Sequence, residues 1–412
     1  MNASLTAAAE QSYLERQPIV DRQGDTFGYE LTHCAGPAAG PAVPTMEATS
    51  AVLAHVLDSL DMGWLPAGKR VFINAGLELL TDADFLALLP DGKIVLSLHG
   101  EPASVTEEML KGCDELKLRD IGIALDGGPL AADCPELLIR ANFVKLDIAG
   151  SDSYSLYDEM QRMASYPARK IAKRVGNGKE YKFCHDMGID LFQGYFFTRP
   201  EIIVEKEMNT SIAQLVQLFE LVGAGAEPRD LEAVFKRDPA LMVKLLGYIN
   251  SAGMGVGRKV TSIHQAIVLL GYKQLYRWVA LLLYTAGKNA APVALMKTVL
   301  TRSRFIELLG QKTLPKHEQE NLFMIGMLSM LDVVFGQPLP KALSRLPLPE
   351  QIVRAILEHE GVHGRLLKMA EATEQRDWEM LQGLAAELQL SAAEINKMQI
   401  EALVWAESLA LR

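Results

Sequence analysis

The sequence predicts an α/β barrel followed by an all-helical region, and three observations carry this prediction. Eight short, mostly continuous apolar runs alternate with helix-length stretches in the first 200 residues. Continuous apolar runs are typical of strands with both faces covered. Several of these runs close on a polar residue at the carboxyl end, where α/β barrels place functional groups. After about residue 205 the apolar residues recur at helical spacing instead.

The predicted barrel begins with a hairpin. Gln17–Val20 and Thr26–Thr32 flank the turn sequence DRQGD. Six further runs each predict one strand: Arg70–Ala75, Ile94–His99, Ile121–Asp126, Phe143–Asp147, Lys170–Val175 and Leu191–Phe197. Asn74, Asp126 and Asp147 are polar residues that close such runs. Residues 16–200 are just under the lower limit of about 200 residues for this fold, so we expect some outer helices to be short or missing.

The pattern of the second half predicts consecutive helices. The apolar spacing predicts them at Ser211–Val222, Leu231–Phe235, Pro239–Ile249, Ile263–Leu270 and Gln274–Tyr284, with further helical segments to Leu411. Asp238 followed by Pro239 is a helix start, because the acid caps the helix and proline suits its first position. We therefore assign residues 1–15 to an N-terminal extension, 16–201 to the barrel, 202–209 to a connector and 210–412 to the helical domain.

Composition limits the classes of partner. The chain is 49% hydrophobic and 22% charged, which is ordinary for a folded protein. Residues 1–204 carry a net charge of −11 and residues 205–412 carry +1, so no direct nucleic-acid binding is expected. The N-terminus lacks the pattern of a signal peptide, and the longest apolar run, Trp278–Tyr284, is too short to span a membrane. Four irregularly spaced cysteines indicate reduced thiols and a cytoplasmic location.

The strand ends carry a family resemblance. GYELTHC (Gly28–Cys34), FINAG, IALDGGP, FVKLD and LFQGYFFTRP follow one another in the order of the EAL domain, which this half resembles. EAL domains are compact barrels that hydrolyse cyclic di-GMP in bacteria. The helical half resembles an HDOD domain through Arg237–Ala252, Val260–Gly271 and Trp278. The EAL–HDOD pairing is an architecture of bacterial signalling proteins.

The resemblance assigns site residues. EAL domains hold two divalent ions, mainly with carboxylates, which activate water and stabilise developing charge. By the resemblance, five positions of that site keep the family's residue in this chain. They are Glu30, Asn74 and Asp126 as ligands, Lys145 as the lysine that positions water, and Gln193. Other positions differ from the family pattern. Three glutamate or aspartate ligands of the family are replaced, by Ser97, Gly127 and Lys173. A further acid is replaced by Gly176, and an arginine is replaced by Cys34.

These departures lead to a functional expectation. With three carboxylates absent and Lys173 and Arg174 adding positive charge, we expect that two cations do not assemble and that no cofactor is needed. The chain is then a non-catalytic signalling protein that acts through protein contacts, with an unidentified partner of the HDOD domain. Two alternatives stay open. One is a metal-independent cyclic di-GMP receptor that uses Lys145, Lys173 and Arg174, and the other is an active cyclic di-GMP phosphodiesterase.

Three other motifs favour structural interpretations. His359-Glu360-Gly361-Val362-His363 matches the HExxH zinc pattern, but two glycines interrupt the helix that zinc binding requires. The GMGVG sequence at 253–257 follows a helix and not a strand, so it predicts a turn and not a phosphate loop. The segment Met324–Val334 offers only Asp332 to a metal. Its face of Met324, Met327 and Met330 is interpreted as core, with an adaptable docking surface as the alternative.

Overall fold

The computed structural model describes residues 13–34, 49–50, 52–53, 69–127, 133–149, 153–194, 196, 210–250, 260–285, 293–319 and 321–409. The chain divides into two compact units. The barrel unit comprises residues 1–199, 292–294 and 369–407, and the helical unit comprises residues 200–291, 295–368 and 408–412. The predicted connector, 202–209, lies outside the described residues, and the predicted domain limits stay predictions.

The first unit contains a closed eight-stranded barrel, which confirms the predicted fold class. Its strands neighbour one another in chain order: β1 (Tyr13–Asp21), β2 (Thr26–Cys34), β3 (Arg70–Gly76), β4 (Ile94–His99), β5 (Gly122–Asp126), β6 (Phe143–Asp147), β7 (Arg169–Val175) and β8 (Leu191–Gly194). Strand β1 runs antiparallel to β2 and β8, and the other neighbours are parallel. The carboxyl ends of β2–β8 and the start of β1 therefore share one end, called here the carboxyl end.

The helices between these strands are short, as the small span of the barrel predicts. They are α1 (Ala83–Leu88), α2 (Glu107–Leu118), α3 (Pro135–Arg140), α4 (Ser153–Arg162) and α5 (Gly178–Asp186), with 3-10 turns at Leu77–Thr81 and Pro102–Ser104. Side-chain caps explain where two of them start. Thr106 accepts a hydrogen bond from the backbone of Met109 before α2, and Asn177 caps α5 in the same way.

The rest of the described chain is helical, as predicted. The helices are α6 (Thr210–Gly223), α7 (Pro228–Arg237), α8 (Pro239–Ile249), α9 (Ile263–Thr285), α10 (Val293–Thr313), α11 (Leu322–Leu328), α12 (Leu331–Phe335), α13 (Leu339–Leu343), α14 (Glu350–Leu357), α15 (Gly361–Gln375), α16 (Trp378–Glu387) and α17 (Ala392–Ser408), with a 3-10 turn at Lys316–Glu318. The Asp238 carboxylate accepts a hydrogen bond from Leu241 and caps α8 as expected. Gly271, at φ +70°, interrupts α9 where the sequence predicts two helices.

Helix α9 is also the one described helix whose length and apolar composition would suit a membrane span, over Ile263–Tyr284. Half of this stretch is buried within the protein. A buried core helix of a soluble protein has the same composition, so the helix is weak evidence for a membrane segment.

Two motifs that the sequence analysis set aside take structural roles. His359 (φ +55°) and Gly361 (φ +71°) have left-handed backbones between α14 and α15, so the two histidines of the HExxH pattern do not share a helix. The predicted helix Met324–Val334 is instead split between α11 and α12. Its three methionines are buried, as a core role requires. The GMGVG sequence lies outside the described residues.

The last helices of the chain pack on the β1–β2 hairpin of the barrel unit. The backbone amide of Leu14 donates a hydrogen bond to Asn396 Oδ1 at 2.8 Å, and the Tyr29 hydroxyl donates to Glu407. The Tyr13 ring stacks on Trp378, with centroids 6.1 Å apart. Since Asn396 is fully buried, this contact lies inside the unit and not on its rim.

An ion pair anchors the turn between α15 and α16 to β1. Arg376 donates from Nε to Glu15, whose side chain is buried. Burial raises the pKa of Glu15, and Arg376 opposes this shift. A carboxyl group with a raised pKa stabilises the fold least at high pH, where it is charged.

We therefore expect Arg376→Ala to lower the free energy of unfolding by about 1–2 kcal/mol at pH 7, where a charged Glu15 loses its partner. The loss should shrink at pH 5, because Glu15 then takes up a proton more readily. Urea unfolding at both pH values measures this. Arg162→Ala, which removes an exposed pair with Asp158, is the matched control and should cost less than about 1 kcal/mol. An equal loss at both pH values for Arg376→Ala would contradict the role of Glu15.

Candidate active site at the carboxyl end of the barrel

The polar residues at the carboxyl end follow from the alternation of side chains along each strand. Seven apolar residues fill the barrel interior: Ile19, Phe72, Val95, Ala124, Phe143, Ile171 and Leu191. Because side chains two positions apart share a face, the residues two places beyond six of them also point inward. These are Asn74, Ser97, Asp126, Lys145, Lys173 and Gln193. Glu30 on β2 joins them through its contacts with Lys145 and Gln193.

Lys145 is the centre of the cluster. Its side chain is 0% exposed, and its ammonium donates a hydrogen bond to Glu30 and lies 3.6 Å from Asp126 Oδ2. A buried ammonium is tolerated only when it is paired in this way. The second oxygen of Glu30 accepts a hydrogen bond from Gln193 Nε2, which also donates to Gln17 Oε1 at 2.9 Å. Four of the five retained positions, Glu30, Asp126, Lys145 and Gln193, are thus directly connected.

Lys173 makes the second ion pair. Its ammonium donates a hydrogen bond to Asp126 Oδ1 and lies 3.9 Å from Asp147 Oδ2. Burial favours the neutral form of Asp126, but Lys145, His99 and Lys173 outweigh it and hold the pKa of this carboxyl below its usual range. Asp126 is therefore ionised at neutral pH.

Arg174 lies at the rim and is more than half exposed. It pairs with Asp147 through Nε–Oδ1 at 2.7 Å and Nη2–Oδ2 at 2.6 Å, the two-point geometry typical of arginine and carboxylate. Its backbone has φ +63°. The structure thus brings Lys173 and Arg174 to the same carboxylate, Asp147, whereas Lys145 lies deeper.

His99 is a site residue that the sequence analysis missed. Its Nε2 lies 3.2 Å from Asn74 Oδ1 and 3.6 Å from Asp126 Oδ2. Burial lowers the pKa of His99, although Asp126 opposes the shift, so the ring is mainly neutral at pH 7. The available signal was its position, because His99 closes the run Ile94–His99 as Asp126 and Asp147 close theirs. Asn74 is held further by a hydrogen bond from Nδ2 to Thr32 Oγ1 at 3.3 Å.

The described residues, as they stand, do not fit a pair of divalent cations. Such ions need several oxygen ligands, but the described chain offers no group of three or more His, Cys, Asp or Glu side chains that would hold a metal. The carboxylates of Glu30 and Asp126 each form an ion pair with a lysine ammonium group. Ser97 Oγ is buried and has no hydrogen-bond partner among the described residues. Gly127 has φ +122°, which disfavours an aspartate there. The side chain of Cys34 lies outside the described residues.

Two solved structures that resemble about half of the chain are EAL domains. An EAL domain protein from Listeria monocytogenes EGD-e is 14% identical, over 48% of this chain and 93% of that chain, with a TM-score of 0.39. The EAL domain of Mycobacterium smegmatis DcpA is 18% identical, over 45% of this chain and 90% of that chain, with a TM-score of 0.37.

Two relatives align with nearly the whole chain. The cyclic di-GMP phosphodiesterase CdgJ of Vibrio cholerae is 29% identical over 405 residues, which are 97% of this chain and 93% of the relative. The uncharacterized protein YuxH of Bacillus subtilis is 26% identical over 407 residues, 96% of this chain and 98% of that protein.

The prediction of a non-catalytic protein that is not an enzyme is therefore wrong, because a relative with this alignment is named as a phosphodiesterase. That prediction relied on acids absent at single motif positions. It gave too little weight to the retained residues, which the structure brings together at one end of the barrel.

The family follows from both halves. Residues 207–372 match the HDOD domain model. The barrel precedes them and carries the EAL motifs on its strand ends. The chain therefore carries an HDOD domain, and the barrel that precedes it resembles an EAL domain.

Proposed function

We propose that the chain is a cyclic di-GMP phosphodiesterase whose reaction takes place at the carboxyl end of the barrel. The observation that carries this proposal is the similarity to CdgJ, which extends over 97% of the chain and so includes both domains. The contacts that join Glu30, Asp126, Lys145 and Gln193 support this location, since they gather two carboxylates, an ammonium and an amide from four strands at one place.

The proposed reaction is hydrolysis of one phosphodiester bond. The water oxygen forms a bond to phosphorus and the bond from phosphorus to a sugar oxygen breaks. The attacking water gives one proton to a base, and the leaving sugar oxygen takes up one proton from solvent. The neutral His99 is suited to accept that proton, and the ionised Asp126 beside it is suited to stabilise the ring once it is protonated. Lys173 and the exposed Arg174 are suited to stabilise the negative charge that develops on the phosphate oxygens.

Chromatographic detection of the linear dinucleotide, after incubation of the purified full chain with cyclic di-GMP, tests the proposal. We expect Glu30→Ala to reduce the rate by about 100-fold or more, since it removes the carboxylate that holds Lys145 and Gln193. Glu115→Ala, on the exposed face of α2, is the control and should leave the rate unchanged. Because Glu30→Ala also removes a partner of a buried ammonium, Glu30→Gln and a melting curve for each variant separate loss of activity from loss of folding.

Binding of cyclic di-GMP without turnover would contradict the proposal and would instead indicate a receptor. Parallel reactions with EDTA and with Mn²⁺ show whether hydrolysis depends on metal ions, which would have to replace the lysines that pair with the carboxylates. A cytoplasmic location and a partner protein of the HDOD domain stay predictions.

A further inference from the structure

A cavity opens at the amino end of the barrel, opposite the candidate active site. It has a volume of about 490 Å³, within the range of small-molecule sites. The starts of four neighbouring strands, β3 to β6, contribute to its wall, together with Phe27 on β2. Residues of the barrel interior, such as Phe72 and Ile171, separate this cavity from the cluster around Lys145.

The wall of this cavity is strongly basic. Four cations line it, from the starts of β3 and β4 and from the last turn of α2: Lys69, Arg70, Lys93 and Lys117. Asp120 is the one acid among the described lining residues, and it pairs with Arg70 at 3.3 Å. The first 204 residues carry a net charge of −11, so a basic pocket here is not a consequence of overall composition. Clustered cations repel one another and favour an anion between them.

The floor of the cavity is aromatic. The rings of Phe27 and Phe143 meet edge to face with centroids 5.6 Å apart, and both line the cavity. The guanidinium of Arg169 lies 4.7 Å from the centroid of Phe27. Aromatic rings offer flat surfaces on which a planar base stacks.

We propose that this amino-end pocket binds a nucleoside phosphate. Its phosphate contacts Arg70, Lys93 and Lys117, and its base packs on Phe27. The pocket is separate from the site proposed for hydrolysis, and the inference stands on the cavity, its charges and its aromatic floor. Anion binding by the lysines explains why exposed cations gather around one opening of an acidic unit.

Isothermal titration calorimetry of the full chain with GMP tests this proposal. Inorganic phosphate and guanosine serve as comparison ligands, because each carries only one part of GMP. We expect saturable binding of GMP that is at least tenfold tighter than that of either probe. The double variant Lys93→Glu/Lys117→Glu should weaken GMP binding at least tenfold. The control Lys111→Glu makes one Lys→Glu charge reversal on the exposed face of α2, outside the pocket, and should bind as the wild type does.

Asp126→Asn distinguishes the two ends of the barrel. GMP affinity should be unchanged in this variant if the amino-end pocket is the site, whereas GMP bound at the carboxyl end would bind more tightly, because the variant releases Lys145 and Lys173. Three results would overturn the proposal: no saturable GMP binding, equal affinity for GMP and phosphate, or the same affinity in the double variant and the Lys111→Glu control. Cyclic di-GMP hydrolysis, measured on the same samples, reports on the other site and separates the two proposals.

Discussion

Replacing Lys145 by methionine is expected to lower the free energy of unfolding by about 3–5 kcal/mol, as found when one member of a buried ion pair is removed. The ammonium is fully buried and is the cation that Glu30 and Asp126 share. Without it, Glu30 keeps only the hydrogen bond from Gln193 among its described contacts. Urea unfolding followed by circular dichroism measures the change.

The double variant Lys145→Met/Glu30→Gln is the informative comparison. It removes the charge that Lys145→Met leaves uncompensated, and glutamine can still accept the hydrogen bond from Gln193. We expect it to recover at least half of the lost stability, because replacing both partners of a buried pair costs far less than removing one. Lys111→Met, at an exposed site, should have little effect. Additive losses in the double variant would show that the two side chains do not stabilise each other.

Replacing Asp126 by asparagine is expected to reduce cyclic di-GMP hydrolysis by about 100-fold or more and to tighten cyclic di-GMP binding at the same time. The variant removes the carboxylate that Lys173 contacts and that lies 3.6 Å from both Lys145 and His99. The carboxylate that stabilises protonated His99 is then lost, while the released cations attract the phosphates more strongly. Steady-state rates and calorimetric titration measure the two effects.

The Asp126→Asn variant is diagnostic because hydrolysis should fall while cyclic di-GMP affinity should rise. A residue that only maintains the fold would weaken both binding and turnover. The control Asp114→Asn removes an acid of an exposed pair with Arg140 and should change neither quantity. Unchanged hydrolysis in Asp126→Asn would exclude Asp126 from the reaction.

Asp126 also makes the free energy of unfolding depend on pH. The pKa of Asp126 is lowered in the folded state, so its contribution to stability is present above the unfolded value of about 3.9 and is lost as pH falls through the lower, folded pKa. Part of the acid destabilisation of the wild type should therefore be missing in Asp126→Asn, as thermal unfolding between pH 2 and pH 6 would show.

The sequence determined the strands and the end of the barrel at which chemistry is expected. Each strand is a short apolar run, and its period of two places Asn74, Asp126 and Lys145 on the inner face, two residues beyond buried core residues. These signals are local, so they can be read without knowing which strands pair. The break at Gly271 and the cap at Asp238 were predictable for the same reason.

Only the tertiary structure decided which of these side chains meet. Lys145 and Glu30 are 115 residues apart, and nothing in their spacing indicates that the ammonium lies between Glu30 and Asp126. The packing of residues 369–407 on the barrel depends on contacts such as Leu14 with Asn396, and the amino-end pocket depends on the starts of four strands. A sequence pattern fixes the face on which a side chain lies, whereas its partner depends on barrel closure, which brings distant segments together.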